Sequence, residues 1–367
     1  MSEFVRVWWA NLTRILLLLR VKGLRFTWNR IHFNLFYYSK NPLIIRLLPL
    51  LVKYPPYIEL EVTSRCAFRC VMCEHTYWDE PDVDISYEAF RETVDEFPGL
   101  KWIGLFGIGE PFLNRDYMKM IRYLKEQDVY IEIYDTFYYT DDALARELVE
   151  LEVDRMFVSL DAATKETYEA IRIGSNFDIV VDNVRNFVRV KNESGSIFPD
   201  FLFHFVMMKN NVHEMPAYVD LVHSICGDQG IIQFSDLLHE FDEIKHLAVD
   251  VPPEIVDATK KRAEELGVAI AWNWNTEQEK PPIQMCTAWI MPYIFVSGHV
   301  IPCCVGNEAN QRELQKKLSL GNVNERSFKE IWDSPEYREF RAMIRRGETP
   351  PQCRDCGVFA VDRGDEE

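Results

Sequence analysis

Apolar positions between residues 57 and 235 concentrate in short runs: Tyr57 to Thr63, Trp102 to Gly107, Tyr130 to Tyr134, Arg155 to Leu160, Phe201 to Met207 and Ile231 to Phe234. Runs of this length bounded by turn residues read as strands buried on both faces, and the longer stretches between them carry apolar residues at helical spacing. Strands alternating with helices predict a parallel sheet, and right-handed crossovers curl such a sheet into a barrel or part-barrel. Six β/α units follow over residues 57–240, and chemistry in such folds gathers at the C-terminal ends of the strands. The expected fold class is therefore α/β, a partial (β/α)6 TIM-like barrel.

The flanks have other patterns. Residues 1–56 interleave Trp8, Trp9, Ile15 to Leu19, Phe26, Trp28, Phe33, Phe36, Tyr37, Tyr38 and Leu47 to Val52 with Arg and Lys, which reads as a basic amphipathic helical arm. Such an arm suits a bilayer interface, with aromatics at the headgroups and bases toward anionic lipid. It suits equally a helical layer packed across the bottom of the barrel, or a dimer contact. No uncharged run approaches the ~20 apolar residues of a spanning helix, so no transmembrane segment is expected. Residues 241–282 read as a bridge, with a helix near Pro253 to Leu266, a short strand from Val268 to Trp274 and a polar stretch to Pro282. Residues 283–367 remain for a small C-terminal domain.

Composition narrows the classes. At 367 residues and 47% hydrophobic, the chain can bury a large core. Residues 1–58 carry nine Lys or Arg and one acid, or +8, which leaves −25 of the total −17 for the rest. That acidic bulk speaks against a nucleic acid as partner, because phosphate binding needs clustered bases. Nine cysteines without an apparent cleavable secretory signal favour metal binding over disulfides. The expected location is the cytoplasm, with membrane association on its cytoplasmic face if residues 1–56 make peripheral contact.

Cys66, Cys70 and Cys73 follow the first strand directly. A cubane [4Fe-4S] cluster is normally held by four thiolates, so three on one loop leave one iron open to another ligand. A zinc knuckle is the competing reading, and His75 is its nearby fourth ligand. The spacing closely resembles the radical S-adenosylmethionine (SAM) superfamily. The resemblance implies that the amino and carboxylate groups of SAM chelate the open iron. One electron then cleaves the sulfonium, and the resulting 5′-deoxyadenosyl radical takes a hydrogen atom from substrate. It also implies an electron donor such as ferredoxin or flavodoxin.

Further motifs fall in the expected order. Gly107-Ile108-Gly109-Glu110-Pro111 after the second strand resembles the family's Gly-Gly-Glu-Pro element, which binds the SAM amino group. Ser159-Leu160-Asp161 after the fourth strand resembles the Ser-Leu-Asp that reaches the SAM ribose. Arg172 is the implied partner of the SAM carboxylate, and Met208 to Glu214 resembles the segment near the adenine. Asp135-Thr136-Phe137 departs from the family's Thr-Asn-Gly. The run to Tyr139 is expected to line a bulky or apolar pocket.

A second cysteine group comprises Cys286, Cys303, Cys304, Cys353 and Cys356. By residue type alone a zinc ribbon is open. The surrounding Gly298, Gly321-Asn322-Val323 and Ile331-Trp332 resemble the SPASM/twitch extension, an auxiliary iron-sulfur domain. Without the further cysteines of the complete extension, the resemblance implies one auxiliary [4Fe-4S] cluster on Cys286, Cys303, Cys353 and Cys356. Cys304 is then surplus: a passive neighbour, an alternative ligand, or a catalytic thiol returning a hydrogen atom to a substrate radical. Cys226 reads as packing.

The leading expectation is hydrogen abstraction from an unactivated carbon of a sugar, lipid-linked group or other small substrate, ending in oxidation or epimerisation. Peptide maturation and a non-catalytic iron-sulfur or zinc scaffold are the alternatives.

Overall fold

Each of the six apolar runs forms a strand in the computed structural model, which describes residues 3–37, 39, 41–77, 80–237, 242–273, 286–303 and 316–354. Along the chain run α1 (Glu3–Phe36), α2 (Pro42–Leu51), β1 (Tyr57–Leu60), β2 (Arg69–Cys70), α3 (Tyr87–Asp95), β3 (Trp102–Leu105), α4 (Tyr117–Glu126), β4 (Tyr130–Asp135) and α5 (Asp142–Glu150). There follow β5 (Arg155–Ser159), α6 (Lys165–Ile171), β6 (Arg172–Ile173), α7 (Phe177–Ser194), β7 (Asp200–Val206), α8 (Met215–Cys226), β8 (Ile231–Ser235), α9 (Pro253–Leu266) and β9 (Ala269–Asn273). The C-terminal part adds β10 (Tyr293–Ile294), β11 (His299–Ile301), β12 (Gly321–Asn322), α10 (Phe328–Trp332) and α11 (Pro335–Arg346).

The main sheet has the order β12-β11-β10-β1-β3-β4-β5-β7-β8-β9. From β10 through β1 to β9 every neighbouring pair is parallel. The fold is the expected partial barrel: among the described residues its end strands β9 and β12 do not pair. The strand within the stretch read as a bridge lies parallel beside β8 as the last strand of the sheet. On the opposite side β10 lies parallel to β1, and β11 and β12 extend it antiparallel.

Helices start where the sequence supplies caps. Ser86, Asp141, Thr164, Asn176 and Ser334 each accept a backbone N–H at the first turn of α3, α5, α6, α7 and α11. The amphipathic helices then bury one face against the sheet; α7 buries Val180, Val184, Phe187 and Val188.

The arm packs under the barrel. α1 breaks at Gly23, whose φ of 79° an L side chain rarely adopts. Beyond the break Phe26 and Phe33 are buried. Phe33 stacks on Trp102 with ring centroids 3.6 Å apart, and Trp102 stacks on Tyr130 at 3.7 Å. The Arg30 guanidinium lies over both of those rings, 4.8 and 4.6 Å from their centroids. Tyr57, Trp102 and Tyr130 are the first residues of β1, β3 and β4 and sit opposite one another in register. Lys101 Nζ donates to Asn29 Oδ1 at 2.8 Å. Of the readings open for the arm, packing across the base holds for this stretch. Among the described residues no helix is long and apolar enough to cross a membrane.

Candidate active site

Three loops leaving the C-terminal ends of β1, β3 and β5 meet around Cys66, Cys70 and Cys73. The first loop follows β1 with Glu61, Val62, Thr63 and Ser64 all buried; Glu61 N still donates to the Ile294 carbonyl at 2.9 Å and Thr63 bridges to Asp84. None of its three cysteines is in a disulfide. Cys70 is pinned by a small antiparallel ribbon in which it sits opposite Arg172.

The loop after β3 lies against the first. A Cβ at Gly109 would come within 2.4 Å of the Thr63 carbonyl oxygen, and one at Gly107 within 2.3 Å of Glu61 Cγ, so neither position accepts a side chain without rearrangement. Glu110 N donates to the Arg65 carbonyl at 2.8 Å. Glu110 itself is buried, with Oε2 accepting from Thr136 N at 3.2 Å and Oε1 from Phe112 N at 3.4 Å. Burial, and then the neighbouring Asp135 carboxylate, push Glu110 well above the usual carboxylate range. Asp135 is raised by burial too, although Thr140 and the Phe137 N–H support its charge. Glu110 therefore ties the ends of β3 and β4 together, and its oxygens are committed within the protein.

The third loop holds Asp161, and Arg172 opens β6 beyond α6. Asp161 is fully buried: Oδ1 accepts from Val206 N at 2.8 Å, while Oδ2 accepts from Arg172 Nε at 2.7 Å and Nη2 at 2.6 Å. Both carboxylate oxygens are spent on protein, so Asp161 orients Arg172 here. The guanidinium also opposes the rise that burial imposes on the Cys70 thiol. Ser159, half-buried, ends β5. Asn211 braces the motif, donating to the carbonyls of Asp161 at 2.9 Å and Val206 at 2.8 Å. Glu214 accepts the Ala163 and Thr164 N–H groups at 2.7 and 3.0 Å and both threonine hydroxyls of Thr164 and Thr167. Burial alone would raise Glu214, but these bonds outweigh it and hold it low.

The electrostatics fit a metal cluster. Burial pushes the Cys66 thiol up to about 12, with Cys70 and Glu110 adding to the rise and Arg172 opposing it. Burial also raises Cys70 and Cys73, and Cys70 raises Cys73 further. The three sulfurs thus feel one another, and iron binding would have to displace their protons. His75, the fourth ligand of the zinc reading, is occupied with Arg69 at 3.3 Å and Asp82 at 3.6 Å.

Sequence reading missed Glu61. It is fully buried, with Oε1 accepting from Ile108 N at 3.0 Å and Oε2 from Val296 N at 3.1 Å, so one carboxylate joins the Gly107–Gly109 loop to the C-terminal hairpin. The pocket expected from the aromatic run is differently built. Phe137 turns into the core against Phe187 and Phe201, while Tyr138 and Tyr139 pack on Phe68 of the cysteine loop. Inside the sheet, Phe106, Tyr134, Phe157 and His204 form the aromatic wall, Tyr134 stacked on Phe157 at 3.9 Å.

In the second cysteine group Cys286 and Cys353 are buried and Cys303 is half-buried just beyond β11, near Tyr337. Cys304 and Cys356 lie outside the described residues.

Residues 60–222 match the radical SAM superfamily, and residues 286–357 match the SPASM iron-sulfur cluster-binding domain. A tungsten-containing aldehyde ferredoxin oxidoreductase cofactor-modifying protein of Pyrococcus furiosus is 25% identical over 328 residues, 82% of this chain and 87% of that protein. A PqqA peptide cyclase of Granulibacter bethesdensis is 21% identical over 323 residues, 83% of this chain and 80% of the relative. In fold, the crystal structure of Streptococcus suis SuiB bound to S-adenosylmethionine matches with a TM-score of 0.62 at 14% identity, covering 86% of this chain and 74% of SuiB. With its cysteine loop set among the loops of a partial barrel and a matching domain after it, the chain belongs to the radical SAM superfamily, as an enzyme whose cofactors are a [4Fe-4S] cluster and SAM and whose SPASM domain binds auxiliary iron-sulfur.

Proposed function

We propose that this enzyme abstracts a hydrogen atom from an unactivated carbon of a small substrate, with oxidation or epimerisation as the outcome. The observation that carries the reading is the convergence of Cys66, Cys70 and Cys73 with the Gly107–Pro111 loop and the Asp161–Arg172 pair. When bound, the reduced cluster supplies the electron that cleaves SAM to methionine and the 5′-deoxyadenosyl radical. In this reading Cys66, Cys70 and Cys73 hold that cluster. The Gly107-Ile108-Gly109 backbone offers acceptors to the SAM ammonium, and Arg172, oriented by Asp161, faces the carboxylate. Ser159 borders the ribose side. Phe106, Tyr134 and Phe157 give the substrate a flat apolar wall with His204 at its edge, and burial lowers His204 so that it stays neutral there.

One auxiliary [4Fe-4S] cluster on Cys286, Cys303, Cys353 and Cys356 completes the proposal. Cys304, beside Cys303 in sequence, is the candidate thiol for an epimerising outcome. A small substrate is supported by the long match to a relative named for modifying a cofactor. A second reading, peptide maturation, is supported by the match to a PqqA peptide cyclase over most of both chains.

The test is anaerobic. Reconstituted protein with SAM and dithionite is expected to form 5′-deoxyadenosine, and Cys66→Ala is expected to abolish it. Protein with intact clusters that forms none would overturn the radical reading and restore the scaffold. Stimulation by a small-molecule extract over a peptide fraction supports the first substrate class, and the reverse supports the second.

A further inference from the structure

We infer that the arm docks on an anionic lipid surface and holds the active-site end of the barrel away from it. Beyond the break at Gly23, α1 buries Phe26 and Phe33 on one side, while Leu24, Trp28 and Leu35 recur at helical spacing on the opposite side. α2 repeats the arrangement: Ile45 and Leu48 are buried, and Leu43, Leu47, Leu50 and Leu51 face out. Leu24 is 79% exposed, Trp28 56%, Leu43 66% and Leu50 61%, values unusual for side chains of this size. Most of the large apolar side chains exposed among the described residues lie between Leu16 and Leu51. On each helix they recur along one side.

Charge decides what covers it. Arg20 and Lys53 are exposed along the apolar stripes, while Arg25 lies 3.6 Å from Asp128 and Lys22 pairs with Glu152; residues 1–58 still carry +8 against −25 for the remainder. An anionic leaflet attracts this end and repels the rest, which sets an orientation as well as an affinity. A second copy would have to meet the same patch across a two-fold axis, bringing base against base. Lipid therefore fits the face better than a twin.

The arm lies at the N-terminal ends of the strands, where Phe33 covers Trp102 and Arg30 covers Tyr130. The cysteine loop and the Gly107–Pro111 loop leave the C-terminal ends. A bilayer under the arm consequently faces away from the mouth of the site. The substrate then arrives from the water side and is not drawn out of the bilayer beneath. This last step rests on the site proposed above, while the docking does not.

Flotation of the reconstituted full chain tests it, with vesicles of phosphatidylcholine alone and of phosphatidylcholine mixed with phosphatidylglycerol. Preferential co-flotation with the mixed vesicles, weakened by salt, is expected. Leu24→Glu/Trp28→Glu, and independently Leu43→Glu/Leu50→Glu, should each lower partitioning at least about tenfold with melting unchanged, because exposed side chains contribute little to the fold. Wild-type protein that stays unbound on both vesicle types would overturn the docking, whether or not it cleaves SAM. A dimer dissolved by the Glu variants, without flotation, would overturn it in favour of self-association. SAM cleavage continuing at the same rate on saturating vesicles supports the orientation, and its loss on binding would sink that orientation.

Discussion

The two ends of the same strands are built from opposite materials. At the base, Tyr57, Trp102 and Tyr130 form a rung of rings capped by Phe33 and crossed by Arg30. At the mouth, Glu61, Glu110, Asp135 and Asp161 are all buried, each hydrogen-bonded within a few residues of the cysteine loop or its neighbours. Stacked rings gain from burial at a smaller desolvation cost than carboxylates, although the Tyr130 hydroxyl and Arg30 Nη1 are buried here without a hydrogen bond. Buried carboxylates are costly unless every lone pair is met, and so they fix geometry more than they add stability. The base stabilises the barrel; the mouth spends part of that stability on holding loops where a cluster and SAM can be gripped.

Breaking the mouth at its centre should have the largest effect. Cys70→Ala is expected to reduce iron at the barrel site and to drop 5′-deoxyadenosine to background, while melting of the metal-free chain changes little. Retained SAM cleavage would break the assignment of this loop. Next comes Asp161→Ala, which leaves Arg172 charged and unpaired in the interior and should cost ~3–5 kcal/mol, read by denaturant unfolding. Asp161→Asn/Arg172→Met should recover much of that stability without recovering SAM binding. Recovery of both would show that the pair serves packing alone. At the base, Trp102→Ala removes a ring stacked on both sides and should cost ~3–5 kcal/mol, yet leave the affinity of the surviving folded protein for SAM unchanged. A comparable loss of SAM affinity would erase the division between the two ends.

Glu61 sharpens the comparison, because it joins two loops of the mouth that are far apart in sequence. Glu61→Gln puts an NH2 donor where one of two N–H groups needs an acceptor, costing about 1–3 kcal/mol. Iron content should hold while the SAM concentration for half-maximal cleavage rises. An unchanged SAM dependence would reduce Glu61 to a structural strap.

What could be read from the chain divides along similar lines. The strands were legible because burial on both faces makes continuous apolar runs, and the cysteines, Gly107 and Gly109 because their spacing and lack of side chains are local facts. Glu61 was not, since Glu59 and Glu61 alternate with apolar residues and so look like one solvent-facing side of a strand. Its partners Ile108 and Val296 lie 47 and 235 residues away. The β2–β6 ribbon gave no period to detect in two-residue strands, although it is what sets Cys70 beside Arg172. Nor could the arm be resolved, because lipid and a barrel base both recruit Phe, Trp and Leu. Phe137 shows the remaining gap: an aromatic after a strand end suits the core behind the sheet as much as a pocket in front of it, and only the turn geometry at its φ of 60° decides.

The smallest effect concerns pH and belongs to the base. His32 bonds to the Tyr57 hydroxyl and stacks on Phe36, and burial, with Lys101 adding to it, lowers its pKa to about 4. Unfolding would restore a value near 6.5, so between these limits the unfolded chain binds a proton that the folded chain refuses. The contribution of neutral His32 is therefore fully present above about 6.5 and declines as pH falls toward 4. Because His32 is half-exposed, solvent screens part of the effect and the decline is shallow. Melting followed from pH 7.5 to 4.5 should fall less steeply in His32→Gln than in wild type, with SAM affinity at pH 7.5 the same in both. Parallel slopes would mean that His32 contributes nothing to the acid sensitivity in this window; Glu214, held low by its hydrogen bonds, loses its contribution only as pH falls below about 4.5.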